Sequence, residues 1–222
     1  MIPVLTNPSI YEVLLSIQGD FVIKRTTSLS DYYLLYKPFQ VLSQFTSTDN
    51  KLCLKDIVDV PKDIYPVGRL DYDSEGLLFL TNDTKMNHQL LHPSFEHKRT
   101  YWVQVEGAIT IEAIEQLAKG VTINVNGIKY KSQPAVLSLL EANVAVPERN
   151  PPIRFRKNIP SSWAQIQLTE GKNRQVRKMF AAVNFPVLRL IRSQIGSFTM
   201  SGMQPSDLIS LSHQDVQEGF FR

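Results

Sequence analysis

The 222-residue sequence predicts an α+β domain, a mixed and mainly antiparallel sheet flanked by helices. Three observations point to it. Short stretches such as Lys98 to Glu106 (KRTYWVQVE) alternate apolar and polar residues at the period of half-buried strands. Asn126-Gly127, between two such stretches, is a strong hairpin signal. Thr110 to Lys119 and Asn173 to Val183 instead repeat their apolar residues at the helical period. A content of 43% apolar and 20% charged residues is that of an ordinary globular protein, and the length suffices for one sizeable domain.

The elements follow in order. Ile10, Val13, Leu14 and Ile17 lie at helical spacing, followed by a polar connector to residue 30. Tyr32 to Tyr36 is a strand broken by Lys37-Pro38, and Val41 to Thr46 a second strand. Asp49 caps a short helix carrying Leu52, Leu54, Ile57 and Val58. Leu77 to Thr81 is a buried strand. Asn82-Asp83 then caps a helix over Thr84 to Leu91. Lys98 to Glu106 is a strand with Tyr101, Val103 and Val105 on one face. On the helix Thr110 to Lys119, Ile111, Ile114, Leu117 and Ala118 face the core, and Gly120 stops it. Val121 to Lys131 forms the hairpin, with Ala135 to Leu140 pairing to it. Arg149 to Pro160 is too broken by prolines to be regular. Trp163 to Thr169 is a strand, and the helix Asn173 to Val183 packs Val176, Met179, Phe180 and Val183 inward while Arg174, Arg177 and Lys178 take the other side. Val187 to Ile191 is a strand, Ile195 to Phe198 a turn, and Ser206 to Gln217 a terminal helix or irregular cover.

Two features carry chemistry. Gly68 to Gly76 (GRLDYDSEG) is a polar, glycine-bracketed loop running into Leu77-Leu78-Phe79-Leu80, which sets Asp71 at the mouth of a buried strand. If Arg69 reaches Asp71, its permanent charge holds that carboxylate ionised, as a nucleophile requires; a purely structural Asp–Arg pair explains the same residues. The Asp-x-Asp-x-Glu-Gly spacing opens like a calcium loop. Asn82, however, stands where a bidentate Glu is needed, and the loop leads into a strand. His88, His92 and His97 lack the spacing of a zinc site, so no metal is expected.

The second feature is charge. Residues 149 to 192 hold ten Lys or Arg and one acid, a net +9 that leaves −6 for the remainder. Such segregation favours a polyanion, nucleic acid being the commonest, over a merely solvated face. No apolar run approaches the ~20 residues of a membrane span. With a single cysteine, Cys53, and no secretory leader pattern, a cytoplasmic protein is expected.

Taken together, GRLDYDSEGLLFLTND (Gly68 to Asp83), KRTYWVQVEG (Lys98 to Gly107), EGKNRQVRKM (Glu170 to Met179) and LRLIRSQIG (Leu188 to Gly196) resemble the signature motifs of the RsuA/RluB/E/F-type pseudouridine synthases. The resemblance implies a catalytic domain over 31–222 with its active-site cleft between two halves. It implies isomerisation of uridine to pseudouridine in ribosomal RNA, most naturally that of the large subunit, without a cofactor. Asp71 matches the catalytic aspartate, Tyr101 the tyrosine that stacks on the base, Arg177 the arginine that pairs with the aspartate, and Leu190 an apolar wall of the uracil pocket. Arg69, Arg174 and Lys178 flank that site. Many relatives carry Lys where Arg99 stands, and most begin with an S4 RNA-binding domain, for which residues 1 to 30 are too short. Arg154, Arg156 and Lys157, in the proline-rich basic stretch, are therefore expected to hold the RNA backbone. The protein is expected to act as a monomer. The competing reading is a non-catalytic ribosomal-RNA-binding or assembly protein, from which Asp71 discriminates, since a carboxylate opposes binding of a polyanion.

Overall fold

The computed structural model describes residues 30–221 except 48, 142–143, 154–155 and 157–158, so the helix expected around Ile10 to Ile17 lies outside the described residues. In chain order the strands are β1 (Tyr32–Lys37), β2 (Tyr65–Pro66), β3 (Glu75–Thr81), β4 (Arg99–Glu106), β5 (Thr122–Val125), β6 (Ile128–Lys131), β7 (Val136–Leu140), β8 (Ser161–Leu168), β9 (Val187–Ile195), β10 (Phe198–Thr199) and β11 (Leu208–Leu211). The helices are α1 (Thr84–Leu91), α2 (Ile111–Ala118), α3 (Gln175–Ala182) and α4 (His213–Phe221).

One mixed sheet runs β11-β1-β3-β9-β4-β8-β7, with β2 added on β3 and β10 on β9. Every pairing in it is antiparallel except β3 with β9, where only Glu75↔Ile191 and Gly76↔Arg192 are in register. The sheet is thus two antiparallel halves joined by a short parallel seam. Gly76 makes the seam possible: its φ is +102°, and a Cβ there would lie 2.4 Å from the Arg192 carbonyl oxygen.

The apolar pattern places the helices. Val176, Met179, Phe180 and Val183 of the α3 region pack with Ala113 and Leu117 of α2 onto Val103, Val105, Ala164 and Leu190. α1 and α4 cover the other half, where Met86, Leu90, Val216 and Phe220 meet Tyr32, Phe79 and Ile195. Asp83 caps α1 by accepting from the Met86 amide at 3.0 Å, and Thr110 caps α2 through Ala113. At the β5–β6 turn Asn126 (φ 52°) and Gly127 (φ 88°) take the left-handed conformations of a tight hairpin.

Several expectations are corrected. Residues 41–46 form no strand beyond a single bridge from Leu42 to Cys53; their backbone bonds the 52–54 segment instead of the sheet. The helix expected after Asp49 is one 3-10 turn, Leu54–Asp56, closed by the Asp56 carboxylate on the Cys53 amide. Ile111 is 63% exposed, and Ala113 takes its place in the core. β7 pairs with β8, not with the hairpin, which forms its own two-stranded sheet. The terminal segment supplies both an edge strand, β11, against β1 and the helix α4.

Candidate active site

The loop 68–74 is built to hold one shape. The Ser43 hydroxyl donates to the Leu70 carbonyl (2.8 Å) and accepts from the Leu70 amide (3.0 Å), the Gln40 amide bonds the Tyr72 carbonyl (2.9 Å), and the Ser74 amide turns back to the Asp71 carbonyl (3.0 Å). The Asp71 carboxylate remains partly exposed on a cleft of about 810 Å³ lined also by Arg69, Tyr101, Arg174, Leu190 and Arg192. Arg69 is exposed there, and the structure gives it no ion pair with Asp71 among the described residues.

The arginines come from the segment before and within α3. Arg174 adopts a left-handed backbone (φ 53°) at the helix N-terminus and sends a two-pronged bond to Asp73, 2.8 Å on each oxygen, with Asp71 at 3.6 Å. Arg177 departs from its expected pairing with Asp71 and from the outer side of the helix. It turns under the loop, bonding the Asp73 carbonyl at 2.5 Å and lying 3.4 Å from the Asp73 carboxylate. Asp73 takes the bonds of Arg177, so Arg177 grips the loop, and Arg174 is the cation paired with the Asp71 carboxylate among the described residues. Burial pushes the Asp73 carboxyl up, but the bonds from Arg174 and the charges of both arginines outweigh it and hold the group below its ordinary value. Lys178 bonds Asn173 (3.3 Å) and does not line the cleft.

Glu170 fixes the turn that presents Arg174. It accepts from the Tyr130 hydroxyl, the Gln175 side chain and the Gln133 amide (the last at 2.9 Å), while Lys172 lies over the Tyr130 ring at 5.0 Å. Tyr101 and Leu190 come from neighbouring strands β4 and β9 and meet at the cleft wall.

Sequence reasoning missed the buried polar layer behind the loop. Arg189 donates two bonds to Glu75 (2.8 and 2.7 Å) and a third to the Pro147 carbonyl (2.8 Å). Lys37, fully buried, spends its amino group on the Pro38 and Val41 carbonyls (2.8 and 2.7 Å). Burial pushes that amine down to about 7. The only sequence signal was negative: a charge pattern does not say which arginines of a basic stretch turn inward. The stretch is accordingly split, for Arg189 and Arg192 are buried, Arg149 lies 4.1 Å over the Phe39 ring, and Arg156 pairs with Glu106 at 2.9 Å. Arg154 and Lys157 lie outside the described residues.

The family model of RNA pseudouridylate synthases matches residues 31–182. The chain belongs to this family. Among curated relatives, the ribosomal large subunit pseudouridine synthase E of Vibrio parahaemolyticus is 46% identical over 169 residues, 76% of this chain and 68% of the relative. That of Xanthomonas axonopodis pv. citri is 44% identical over 174 residues, 78% and 89% of the two chains. A solved pseudouridylate synthase superposes with a TM-score of 0.68 at 24% identity, covering 85% of this chain and 73% of its own, so the two share a fold. Among the described residues no helix of this pseudouridine synthase is long and apolar enough to cross a membrane.

Proposed function

We propose that this synthase isomerises a uridine of large-subunit ribosomal RNA, with Asp71 as its nucleophile and no cofactor. The observation that carries the reading is the seating of Asp71: a partly exposed carboxylate on a rigid loop, on the cleft wall shared with Tyr101 and Leu190, with Arg174 at 3.6 Å. A carboxylate so placed attacks the uridine while the detached base stays in the cleft, stacked on Tyr101, until it rejoins the ribose through carbon. The target base is first flipped out of its stack, which costs a few kcal/mol unless it is already unpaired. Arg69 and Arg174, which line the cleft, hold the phosphates, and Arg154, Arg156 and Lys157 of the proline-rich stretch add to that hold. The names of the relatives support the choice of RNA.

The test is Asp71→Asn assayed on large-subunit RNA from cells lacking the enzyme, with pseudouridines mapped by sequencing. The expected outcome is complete loss of pseudouridine at one position, with RNA affinity equal to or above that of the wild type because a negative charge has left an anionic interface. Pseudouridine formation near the wild-type rate would remove Asp71 from the chemistry.

A further inference from the structure

Two arginines three residues apart on β9 are buried in opposite circumstances. Arg189 is paired with a carboxylate, Glu75, on both prongs. Arg192, 5% exposed, donates through Nε to the Leu77 carbonyl (2.7 Å), while its buried Nη2 meets no acceptor among the described residues. No carboxylate among the described residues pairs with it; the Tyr101 hydroxyl lies close enough to support its charge, and a second cation, Arg99, close enough to oppose it. An unpaired guanidinium buried for structure alone is costly, and a buried donor without an acceptor calls for one.

Its position says what that acceptor is. Arg192 lies two residues beyond Leu190 on the same strand, hence on the same face, and in register with Tyr101 on β4. All three line the cleft that holds Asp71. A uracil resting between Tyr101 and Leu190 therefore turns an edge toward Arg192, and a carbonyl oxygen on that edge supplies the acceptor that Nη2 lacks.

We propose that Arg192 is a catalytic residue that donates to a carbonyl oxygen of the target uracil and takes up the charge the base gains as it leaves the ribose. When the C1′–N1 bond breaks, its electron pair passes to N1 and spreads onto O2 and O4. The guanidinium stabilises this anion inside a dry site, where such an interaction is strong. Asp71 takes C1′ as the C1′–N1 bond breaks and is released when the bond from C1′ to C5 forms; C5 then passes its proton to a base, N1 takes one up, and nothing is oxidised or reduced. A donor placed at O4 also favours uracil over cytosine, which presents an amino group there, whereas a donor at O2 does not distinguish them. This inference rests on the reading of the site given above.

The test couples an enzyme change to a substrate change. Wild type, Arg192→Met and Arg192→Lys are compared in single-turnover reactions on a synthetic fragment carrying the uridine that the wild type modifies, with uridine, 2-thiouridine or 4-thiouridine at that position. Arg192→Met is expected to slow the reaction about 100-fold or more while the dissociation constant stays within about twofold, and Arg192→Lys to recover part of the rate. Replacing one carbonyl oxygen by sulfur, a weak acceptor, is expected to slow the wild type about tenfold and Arg192→Met not at all. Equal sulfur effects on both enzymes, or a rate loss matched by a loss of thermal stability and affinity, would make Arg192 a structural residue. Should Arg192→Met not fold, Arg192→Lys is scored on the same comparison, since it keeps a cation but loses the planar fork. A wild type that forms no pseudouridine in any large-subunit RNA sinks the proposed function; an active wild type with uncoupled Arg192 variants sinks this inference alone.

Discussion

Asp71 and its neighbours divide their labour at a separation of two residues. Asp73 absorbs Arg174 and Arg177, and by doing so ties the loop to α3 while leaving the Asp71 carboxylate facing the cleft. Arg177→Ala is accordingly expected to cut single-turnover rate about 100-fold by letting the loop drift, with RNA affinity little changed. An unchanged rate would show that Arg174 alone holds the loop. That Asp71, Tyr101 and Leu190 share one cleft was legible in the sequence because each sits in a motif. The grip of Arg177 on Asp73 was not, because spacing along a helix names a face and not the atom a flexible guanidinium will reach. Lys37 was invisible for a similar reason: a lysine before proline reads as a strand end, and its burial depends on the Val41 carbonyl that folds back over it. Its pushed-down amine, at about 7, makes a pH prediction. The unfolded chain keeps that proton to its ordinary value of 10.5, so from pH 7 upward it binds more protons than the folded chain and stability rises. Above pH 10 the trend reverses, because buried Tyr36 holds its proton to about 12 while the unfolded tyrosine has lost it. Urea midpoints measured from pH 6.5 to 9.5 should climb for the wild type and lie flat for Lys37→Met; parallel slopes would exclude Lys37 as their source.

At the level of elements, long periodic stretches and their caps were readable: α1 with Asp83, α2 with Thr110 and the Asn126-Gly127 hairpin stand where their residues place them. Pairing partners were not, since β7 carries no local mark of whether it joins the hairpin or β8. Short segments failed as well, because residues 41–46 have the composition of a strand but find their backbone partners in a loop. Gly76 is the sharpest case of an element fixed by its surroundings. Gly76→Ala is expected to cost about 3 kcal/mol, the added methyl meeting the Arg192 backbone in a conformation foreign to alanine, and chemical denaturation measures it. A loss within 0.5 kcal/mol, as for ordinary surface changes, would mean the seam can spread freely. The proline-rich stretch before β8 is partly anchored, by Arg149 on Phe39 and Arg156 on Glu106. Changing Arg154, Arg156 and Lys157 together to Ala should weaken RNA binding and flatten its salt dependence by about 0.7 to 0.9 for each phosphate no longer neutralised, with turnover at saturating RNA preserved. An unaltered salt slope, or turnover abolished at full affinity, would reassign the stretch to the fold or to the active site.

For the whole molecule, the segregation of charge seen along the sequence survives folding only in part. Arg189 and Arg192 are buried inside the domain, so the basic surface is smaller than the run of residues suggests, and among the cleft-lining cations Arg192 is buried while Arg69 and Arg174 are open to solvent. Such a division suits a ligand whose phosphates stay outside while one base enters. The seam between the half-sheets bears on how that entry is timed. β3 and β9 meet over two residue pairs, whereas β1–β3 and β4–β8 are zipped along most of their length. The molecule is therefore a pair of stiff plates on a narrow weld. Protons at the weld should be the first of the central sheet to trade with deuterated solvent, ahead of those in either plate, and bound RNA should slow that trade by clamping the plates together.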